Sequence, residues 1–273
     1  MNKLIQAENY FMKGAFADSD IEAIKYLTKA IELNPELAGA YFSRGNVNFY
    51  LEKYVEALRD FNKALDINSE DAEAYHKRGQ IYYIQSEDKK ALNDFNRAVN
   101  LDFTDEEVYY DRGLVYISLS LLDSALIDFN KVIEINPESS NAYYMTGLVY
   151  KYLENYDKAV KNYSKAIKLI PEHTDALNER GIVYLNRQVY YGALRDFSKV
   201  IELDPLSSIA YNNRGKVHHC LKLYKKAIED FDYAIMINPK FIEAYINRGS
   251  VFETLNKPSK ALEDYVKASG IET

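Results

Sequence analysis

The sequence predicts an all-α solenoid, and three features of the 273-residue chain lead to that fold class. Glycine recurs seven times at intervals of 34 residues, from Gly45 to Gly249. Alanine recurs with the same interval from Ala57 to Ala261, and an aromatic residue recurs from Phe61 to Tyr265. A fixed period of about 20–50 residues is typical of supersecondary units that bury their apolar faces against their neighbours.

Each period contains two helical patterns, illustrated by the repeat at 38–71. The first contains Tyr41 and Gly45, and a polar turn around Glu52 follows it. The second is an apolar stripe at helical spacing, formed by Ala57, Leu58, Phe61, Ala64 and Leu65. Asn-Pro or Asp-Pro pairs end several of the second helices.

The recurring glycine falls inside the first helix, where glycine costs about 1 kcal/mol relative to alanine. Seven recurrences therefore need a packing reason. We expect the two helices of a repeat to approach closely there, with the small Ala57-type residue of the second helix facing the glycine.

This pattern resembles the tetratricopeptide repeat, which reads Trp-x2-Leu-Gly-x2-Tyr, then Ala-x3-Phe, then Pro, with a period of about 34 residues. Tyrosine replaces the Trp in six of the seven repeats, and Leu177 is the exception. The Tyr position holds Tyr82, Tyr116, Tyr150 and Tyr184, but Asn48, His218 and Phe252 in the other repeats. The resemblance covers nearly the whole chain, and it implies a right-handed superhelix of helical hairpins with a concave peptide-binding groove.

We predict that residues 1–273 form one array of eight repeats, at 7–37, 38–71, 72–105, 106–139, 140–173, 174–207, 208–241 and 242–273. In repeat 7–37 we expect a deletion of three residues between Gly14 and Ala23, which shortens the first helix. The alternative keeps the 34-residue register and places Phe11 at the glycine position. In the last repeat Ser269 stands where the others have an aliphatic residue, and we expect its final face to be partly exposed.

Arginine stands where the family pattern has leucine before the glycine, and aspartate precedes the aromatic position. The predicted ion pairs lie within repeats and join Arg44 to Asp60, Arg78 to Asp94, Arg112 to Asp128, Arg180 to Asp196, Arg214 to Asp230 and Arg248 to Asp264. Repeat 140–173 lacks both partners and carries Thr146 and Asn162. This matched loss favours a structural pair over the alternative that the arginines bind an anionic ligand.

The resemblance implies that positions 2, 5, 6, 9, 12 and 13 of each first helix line the groove. Among them, the candidate peptide-binding residues are Phe42, Asn46, Tyr50, His76, Gln80, Tyr83, Tyr110, Leu114, Tyr144, Leu148, Tyr152, Asn178, Asn212, Asn213, Lys216 and Asn247. The first half of this set is aromatic and the second half is rich in amides, which suits an extended peptide. The alternative is that many of the tyrosines only pack between helices.

Charge at these positions bears on the class of partner. Acidic residues at the groove positions outnumber the lysines Lys77, Lys151 and Lys216. The resemblance also implies where a clamp for acidic chaperone tails would need basic side chains, and Glu107 and Asp111 occupy two of those positions. We therefore expect a neutral or basic partner segment.

Other classes of function find little support in the sequence. The net charge is -7, against the clustered basic face that nucleic-acid binding needs. His218, His219 and Cys220 are consecutive, so their side chains point about 100° apart on a helix and do not converge on a metal ion. We expect no catalytic residue, metal or cofactor. One cysteine and no membrane-length apolar stretch indicate a cytoplasmic protein outside membranes.

The sequence thus predicts a non-enzymatic scaffold or adaptor that binds a segment of another protein. Two alternatives stay open: a structural module that self-associates as a homo-oligomer through its terminal repeats, and the targeting subunit of an enzyme complex.

Overall fold

The structure, a computed structural model, describes residues 2–101 and 105–271. All regular secondary structure in these residues is α-helical, as predicted. Residues 102–104 of the predicted repeat 72–105 and residues 272–273 of the predicted repeat 242–273 lie outside the described part. Contacts divide the chain into two compact units, Met1–Pro137 and Glu138–Thr273. The single continuous array over residues 1–273 stays a prediction.

The first unit contains four helical hairpins. Their helices are α1 (Lys3–Ala15), α2 (Asp20–Leu33), α3 (Ala38–Tyr50), α4 (Tyr54–Ile67), α5 (Ala72–Ile84), α6 (Asp88–Asn100), α7 (Glu106–Ser118) and α8 (Leu122–Ile135). Each odd-numbered helix packs against the even-numbered helix that follows it, and each of α2, α4 and α6 also contacts the next first helix. The hairpins therefore stack in chain order, as a solenoid requires.

The second unit repeats this arrangement with four more hairpins. Its helices are α9 (Ser140–Tyr152), α10 (Tyr156–Leu169), α11 (Thr174–Asn186), α12 (Tyr190–Leu203), α13 (Ser208–Cys220), α14 (Tyr224–Ile237), α15 (Ile242–Thr254) and α16 (Pro258–Gly270). Helices α10, α12 and α14 each contact the first helix of the next hairpin. The prediction of helix-turn-helix repeats that stack as an all-α solenoid is confirmed.

The recurring glycines mark close helix contacts, but their neighbour differs from the one we expected. A Cβ atom added at Gly79 would lie 2.7 Å from the ring of Phe95, and one at Gly215 would lie 2.7 Å from the ring of Phe231. The nearest neighbour of the glycine backbone is therefore the aromatic ring of the second helix, which the sequence analysis did not predict. Glycine is needed because a fully buried ring takes the space that a side chain would fill.

The first hairpin settles the register question at the N-terminal end. A Cβ atom at Gly14 would lie 2.6 Å from Leu27, which occupies the aromatic position of this hairpin. Gly14 is therefore the equivalent of Gly45, and the three-residue deletion is confirmed. The expected shortening of the helix is wrong, because α1 has 13 residues like α3. Helix α1 begins four residues before the predicted boundary at residue 7 and ends directly after Gly14.

The turn inside each later hairpin contains one residue with a left-handed backbone. These residues are Glu52, Ser86, Ser120, Glu154, Gln188, Lys222 and Asn256, with φ between 53° and 60°. None is glycine, although a non-glycine residue in this conformation costs about 1 kcal/mol. The turn geometry thus recurs with the same period as the helices while its sequence varies.

Candidate functional site

Six arginines of the first helices are bonded to aspartates of the second helices. In the hairpin formed by α7 and α8, Arg112 donates from Nε and Nη2 to the two carboxylate oxygens of Asp128, at 2.8 and 2.7 Å. The same pairs occur at Arg44–Asp60, Arg78–Asp94, Arg180–Asp196, Arg214–Asp230 and Arg248–Asp264. Bidentate geometry is the strongest form of this interaction.

Burial and pairing act in opposite directions on the protonation of these groups. Burial works to lower the pKa of Arg112, but the hydrogen bonds and charge of Asp128 outweigh it and the pKa lies above its usual value. Burial likewise raises the pKa of the Asp128 carboxyl, against the opposing effect of Arg112. The Asp128 side chain is 2% exposed, so Arg112 replaces water as the hydrogen-bond donor and counter-ion of its carboxylate.

Each of these arginines makes one further bond that the sequence analysis missed. The Nη1 group donates to the second helix of the preceding hairpin, as Arg112 does to Asn96 at 2.9 Å. The equivalent acceptors are Thr28 for Arg44, Asn62 for Arg78, Ser164 for Arg180, Ser198 for Arg214 and Asp232 for Arg248. Every acceptor directly follows the aromatic position, and that regularity is a signal present in the sequence. The arginines therefore join neighbouring hairpins as well as the two helices of one hairpin.

The repeat without the ion pair satisfies its polar groups locally. Thr146 is 1% exposed and donates to the Ala142 carbonyl one turn earlier, at 2.8 Å. Asn162 donates to the Lys158 carbonyl at 2.9 Å. Both side chains donate to a backbone carbonyl of their own helix and do not require a partner on the other helix of the hairpin. The replacement of arginine by Thr146 therefore accompanies the replacement of aspartate by Asn162 without leaving a buried charge.

In the first unit, the predicted groove residues form an aromatic strip with polar neighbours. Tyr50 at the end of α3 is 70% exposed and lies edge-on to Phe49, with ring centroids 5.5 Å apart. Lys77 of the next hairpin lies over both rings, at 5.6 and 5.9 Å. The other candidates of this unit are half-buried, namely Phe42, Asn46, Gln80, Tyr83, Tyr110 and Leu114.

Residues at position 5 of the first helix are part of the hairpin core. The ring of Phe42 lies 5.8 Å from that of Phe61, and Tyr110 lies 5.6 Å from Phe129. His76 packs on Phe95 in the same way and is 2% exposed. Its side chain is therefore buried, whereas the sequence analysis expected it on the groove surface. In these hairpins the side chain at position 5 of the first helix therefore covers the buried aromatic ring of the second helix.

Polar side chains connect successive first helices of the first unit. Asp111 accepts from Gln80 at 2.7 Å and lies 2.8 Å from the Nε2 atom of His76. Burial raises the pKa values of Tyr83 and Tyr110, and the nearby charge of Asp111 adds to the effect. The two phenols are therefore neutral and can each donate a hydrogen bond.

In the second unit, the predicted amides pair with one another. Asn213 donates to Asn178 at 3.2 Å, and Asn247 donates to Asn212 at 2.9 Å. Asn212 and Asn213 are 1% and 7% exposed, so they lie between the helices instead of on the surface. The pairs join position 5 of one repeat to position 6 of the next, as His76 and Asp111 do in the first unit.

The remaining candidates of the second unit are more accessible. Tyr152 is 53% exposed, whereas Tyr144 and Leu148 are half-buried. Lys216 forms an ion pair with Glu243 at 3.1 Å, and Lys151 forms one with Glu179 at 2.5 Å. Two of the three groove lysines are thus neutralised by acidic groove residues.

The consecutive residues His218, His219 and Cys220 point to different surroundings. His218 lies 2.8 Å from Asp230, and His219 packs on the ring of Tyr224 at 5.8 Å, while Cys220 is exposed. Within residues 2–101 and 105–271, no three His, Cys, Asp or Glu side chains are grouped as a metal site requires. None of the helices in that part of the chain is long and apolar enough to cross a membrane.

Comparison with solved structures places the same helical arrangement in other proteins. YrrB, a TPR protein, is 26% identical with a TM-score of 0.63, and the match covers 73% of this chain and 100% of that one. A tetratricopeptide repeat protein from Parabacteroides merdae is 23% identical with a TM-score of 0.63, over 94% of this chain and 99% of that one. MamA from Desulfovibrio magneticus is 22% identical with a TM-score of 0.58, over 61% and 94%. No curated protein matches the chain significantly.

Three family models of tetratricopeptide repeats match the sequence. The TPR repeat model matches residues 45–86 and 79–120. One tetratricopeptide repeat model matches residues 140–173 and 208–241. A second tetratricopeptide repeat model matches residues 106–139 and 242–272. These segments together span most of the chain, and those at 106–139, 140–173 and 208–241 each cover one of the hairpins described above. The chain belongs to the tetratricopeptide repeat family.

Proposed function

We propose that this protein is a non-enzymatic interaction scaffold that binds a segment of a partner protein along its first helices. The observation that carries the proposal is the aromatic strip of the first unit, in which Tyr50 is 70% exposed and Tyr83 and Tyr110 are half-buried. Tyrosine provides a large rigid contact area and a hydroxyl that can donate to a peptide carbonyl. YrrB, whose structure has a similar fold, is described as a TPR protein with an unusual peptide-binding site.

The charges at the predicted groove positions of the two units, where acidic residues outnumber lysines, favour a neutral or basic segment over an acidic one. Asp111 lies between the first helices with one oxygen bonded to Gln80. Lys151 and Lys216 are each paired with a glutamate. An acidic segment would meet carboxylates, whereas a segment with lysine or arginine would find partners for its charges. The cytoplasmic location that the sequence predicts is part of this proposal.

A peptide-display selection against the intact chain tests the proposal. Affinities of the enriched peptides are then measured by fluorescence polarisation for the wild type and for Tyr50→Ala. We expect Tyr50→Ala to weaken binding about tenfold or more, because a central aromatic contact is worth about 1.4 kcal/mol or more.

The matched control is Tyr191→Ala, because Tyr191 is 81% exposed on the second helix α12 and lies outside the proposed surface. It should bind the peptides as the wild type does. Peptides whose affinity is the same for wild type and Tyr50→Ala, or a selection that enriches none, would refute binding at this strip.

A second candidate function, self-association, is favoured by one observation. Helix α16 exposes Leu262 and Val266, which are 64% and 59% exposed and four residues apart on one helix face. Light scattering across a concentration series separates the two candidates, since a constant monomer mass excludes self-association.

A further inference from the structure

A cavity of about 540 Å³ lies beside Arg44, between helices α2, α3 and α4 of the first unit. Ile24 and Thr28 of α2 form one wall, Arg44 and Asn48 of α3 form another, and Glu56 of α4 closes a third. Its volume lies in the range of about 300–1,000 Å³ that is usual for ligand pockets. Arg44 and Asn48 are four residues apart and share a helix face that lies roughly opposite Phe42, Asn46 and Phe49. The cavity is therefore separate from the surface of the proposed function.

In other hairpins of this chain, a tyrosine ring of the same chain fills the equivalent place. Tyr82 occupies the position of Asn48, and its ring lies 6.0 Å from the guanidinium of Arg78 and 5.2 Å from Lys90. Arg78 and Lys90 are the equivalents of Arg44 and Glu56, which line the cavity. The ring also packs on the core cluster of Ala91 and Phe95.

Two more hairpins place the ring in the same way. Tyr116 lies 5.7 Å from Arg112, and Tyr184 lies 5.8 Å from Arg180. In the latter hairpin the position of Glu56 is Gly192, and a Cβ atom added there would lie 2.9 Å from the Tyr184 ring. The ring therefore sits between the arginine and the first turn of the second helix, which is the space left open at Asn48.

A second cavity appears at the other hairpin in which a smaller polar residue replaces the tyrosine. His218 stands there, and a cavity of about 340 Å³ is lined by its imidazole together with Arg214, Ser198 and Lys226. Both residues are bonded to the aspartate of their hairpin, Asn48 to Asp60 at 3.5 Å and His218 to Asp230 at 2.8 Å, but the larger histidine ring fills more of the space. The cavity is larger at Asn48 than at His218, as the size of the side chain requires.

From these comparisons we infer that the cavity at Asn48 binds a tyrosine side chain of a partner protein, which takes the place of the ring that this hairpin lacks. The ring stacks over the Arg44 guanidinium, which is held by Asp60 and Thr28 and already lies 5.8 Å from the ring of Tyr41. Ile24 provides apolar contact, and the hydroxyl faces the polar residues of the cavity. Lys53 and Arg59 line the cavity against the single exposed acid Glu56, so acidic residues beside the tyrosine are favoured.

The first test uses p-cresol, the analogue of the tyrosine side chain, with the full chain and amide-resolved NMR titration. We expect saturable binding to the wild type with shifts centred on residues near Asn48. Asn48→Tyr fills the cavity from within, so it should abolish those shifts and raise the melting temperature by a few degrees. Asn48→Phe serves as a second filling variant.

The chain offers a matched control in the opposite direction. Tyr82→Asn removes the ring of the next hairpin and should create a second p-cresol site beside Arg78. Tyr50→Ala, on the surface of the proposed function, should leave p-cresol binding unchanged. Absence of binding to the wild type, or binding that persists unchanged in both filling variants, would overturn the assignment of the cavity.

The source of the ring is tested by peptide display with the wild type and Asn48→Tyr in parallel. Peptides that the wild type retains and Asn48→Tyr loses should share a tyrosine. If the lost peptides contain no aromatic residue, or if the two proteins retain the same peptides, a partner's tyrosine is not the occupant. Peptides that depend on Tyr50 are scored separately, so failure of the proposed function leaves this result readable.

Discussion

At the residue scale, the most informative feature is a substitution that the chain has already made in one of its own repeats. Five other hairpins have arginine and aspartate at the positions of Arg112 and Asp128, whereas the hairpin at 140–173 has Thr146 and Asn162 there. In the paired hairpins the aspartate is nearly inaccessible, and the arginine of the first helix compensates its charge through a bidentate bond. Loss of the arginine alone would leave a buried carboxylate without its counter-ion, which explains why both residues change together.

We predict that Arg112→Leu lowers the free energy of unfolding by about 3 kcal/mol, because it leaves Asp128 buried and unpaired. The double variant Arg112→Thr with Asp128→Asn copies the hairpin at 140–173 and should lose less than half as much. Urea unfolding followed by circular dichroism measures both values. A double variant that is as unstable as Arg112→Leu would show that the carboxylate is not the cause.

The same variants separate the structural interpretation of the arginines from the anion-binding alternative. If the arginines bind an anionic ligand, phosphate or sulfate should stabilise the wild type more than the double variant. The structural interpretation predicts equal effects of these anions on the two proteins. Melting temperatures in a titration of each anion provide the measurement.

At the element scale, four of the first helices begin with side-chain caps at equivalent positions of their repeats. Asp71, Ser139 and Ser207 each accept a hydrogen bond from the backbone N–H three residues later. His173 takes this place at the start of α11, and its Nδ1 atom accepts from the Ala176 N–H at 3.3 Å. The imidazole nitrogen can accept this bond only while the ring is neutral, so the cap at His173 depends on pH. The other three caps accept through a side-chain oxygen.

The cap at His173 gives a pH-dependent prediction. Burial lowers the pKa of His173 below its usual value of about 6.5, despite the opposing charge of Asp175. The unfolded chain therefore binds the proton more readily, and folding stability falls as the pH decreases through and below about 6.5. Between about pH 7.5 and pH 5, the wild type should therefore lose more stability than His173→Ser, which keeps a cap at both values.

A gain-of-function control is available at the equivalent cap of α13. Ser207→His should introduce a similar acid-sensitive loss, measured by urea unfolding at the two pH values. The other histidines contribute equally to every variant, so only differences between curves are interpreted. Parallel pH profiles for wild type and His173→Ser would contradict the role of this cap.

The extent of what could be predicted from the sequence also differs between elements. The period predicted the hairpins and the place of the glycines, because equivalent residues in stacked units have equivalent surroundings. It did not predict that the Phe95 ring, instead of an alanine, lies against Gly79. A period identifies which residues are equivalent, but it does not state how far each side chain reaches across the hairpin.

The candidate site was less predictable for the same reason. Assigning a residue to the groove face gives its direction from the helix axis, whereas exposure also depends on the neighbouring first helix. Asn212 faces the next repeat closely enough to accept from Asn247, and His76 is covered together with Phe95. Both were expected on the surface, and both are buried. Tyr50 and Tyr152 lie at the ends of their helices, beyond this coverage, and are exposed.

At the scale of the whole molecule, stability is expected to come from contacts between neighbouring hairpins. In each unit a helix touches its hairpin partner, the adjacent helix of the next hairpin and, for the first helices, the next first helix. Each of these contacts joins described helices that lie close together in the chain. Solenoids of this type behave as one-dimensional arrays in which stability is a sum over units and their interfaces.

We therefore predict that residues 1–137, expressed alone, fold into a helical and cooperatively unfolding protein. The four hairpins of this unit contain three interfaces between neighbours, and about three repeats are the minimum for stability in such arrays. Residues 1–71, with two hairpins and one interface, form the matched control and should be largely unfolded under the same conditions. Far-ultraviolet circular dichroism with a urea titration measures both fragments. Equal stability of the two fragments, or a lack of helical signal from residues 1–137, would contradict a stability built from neighbour interfaces.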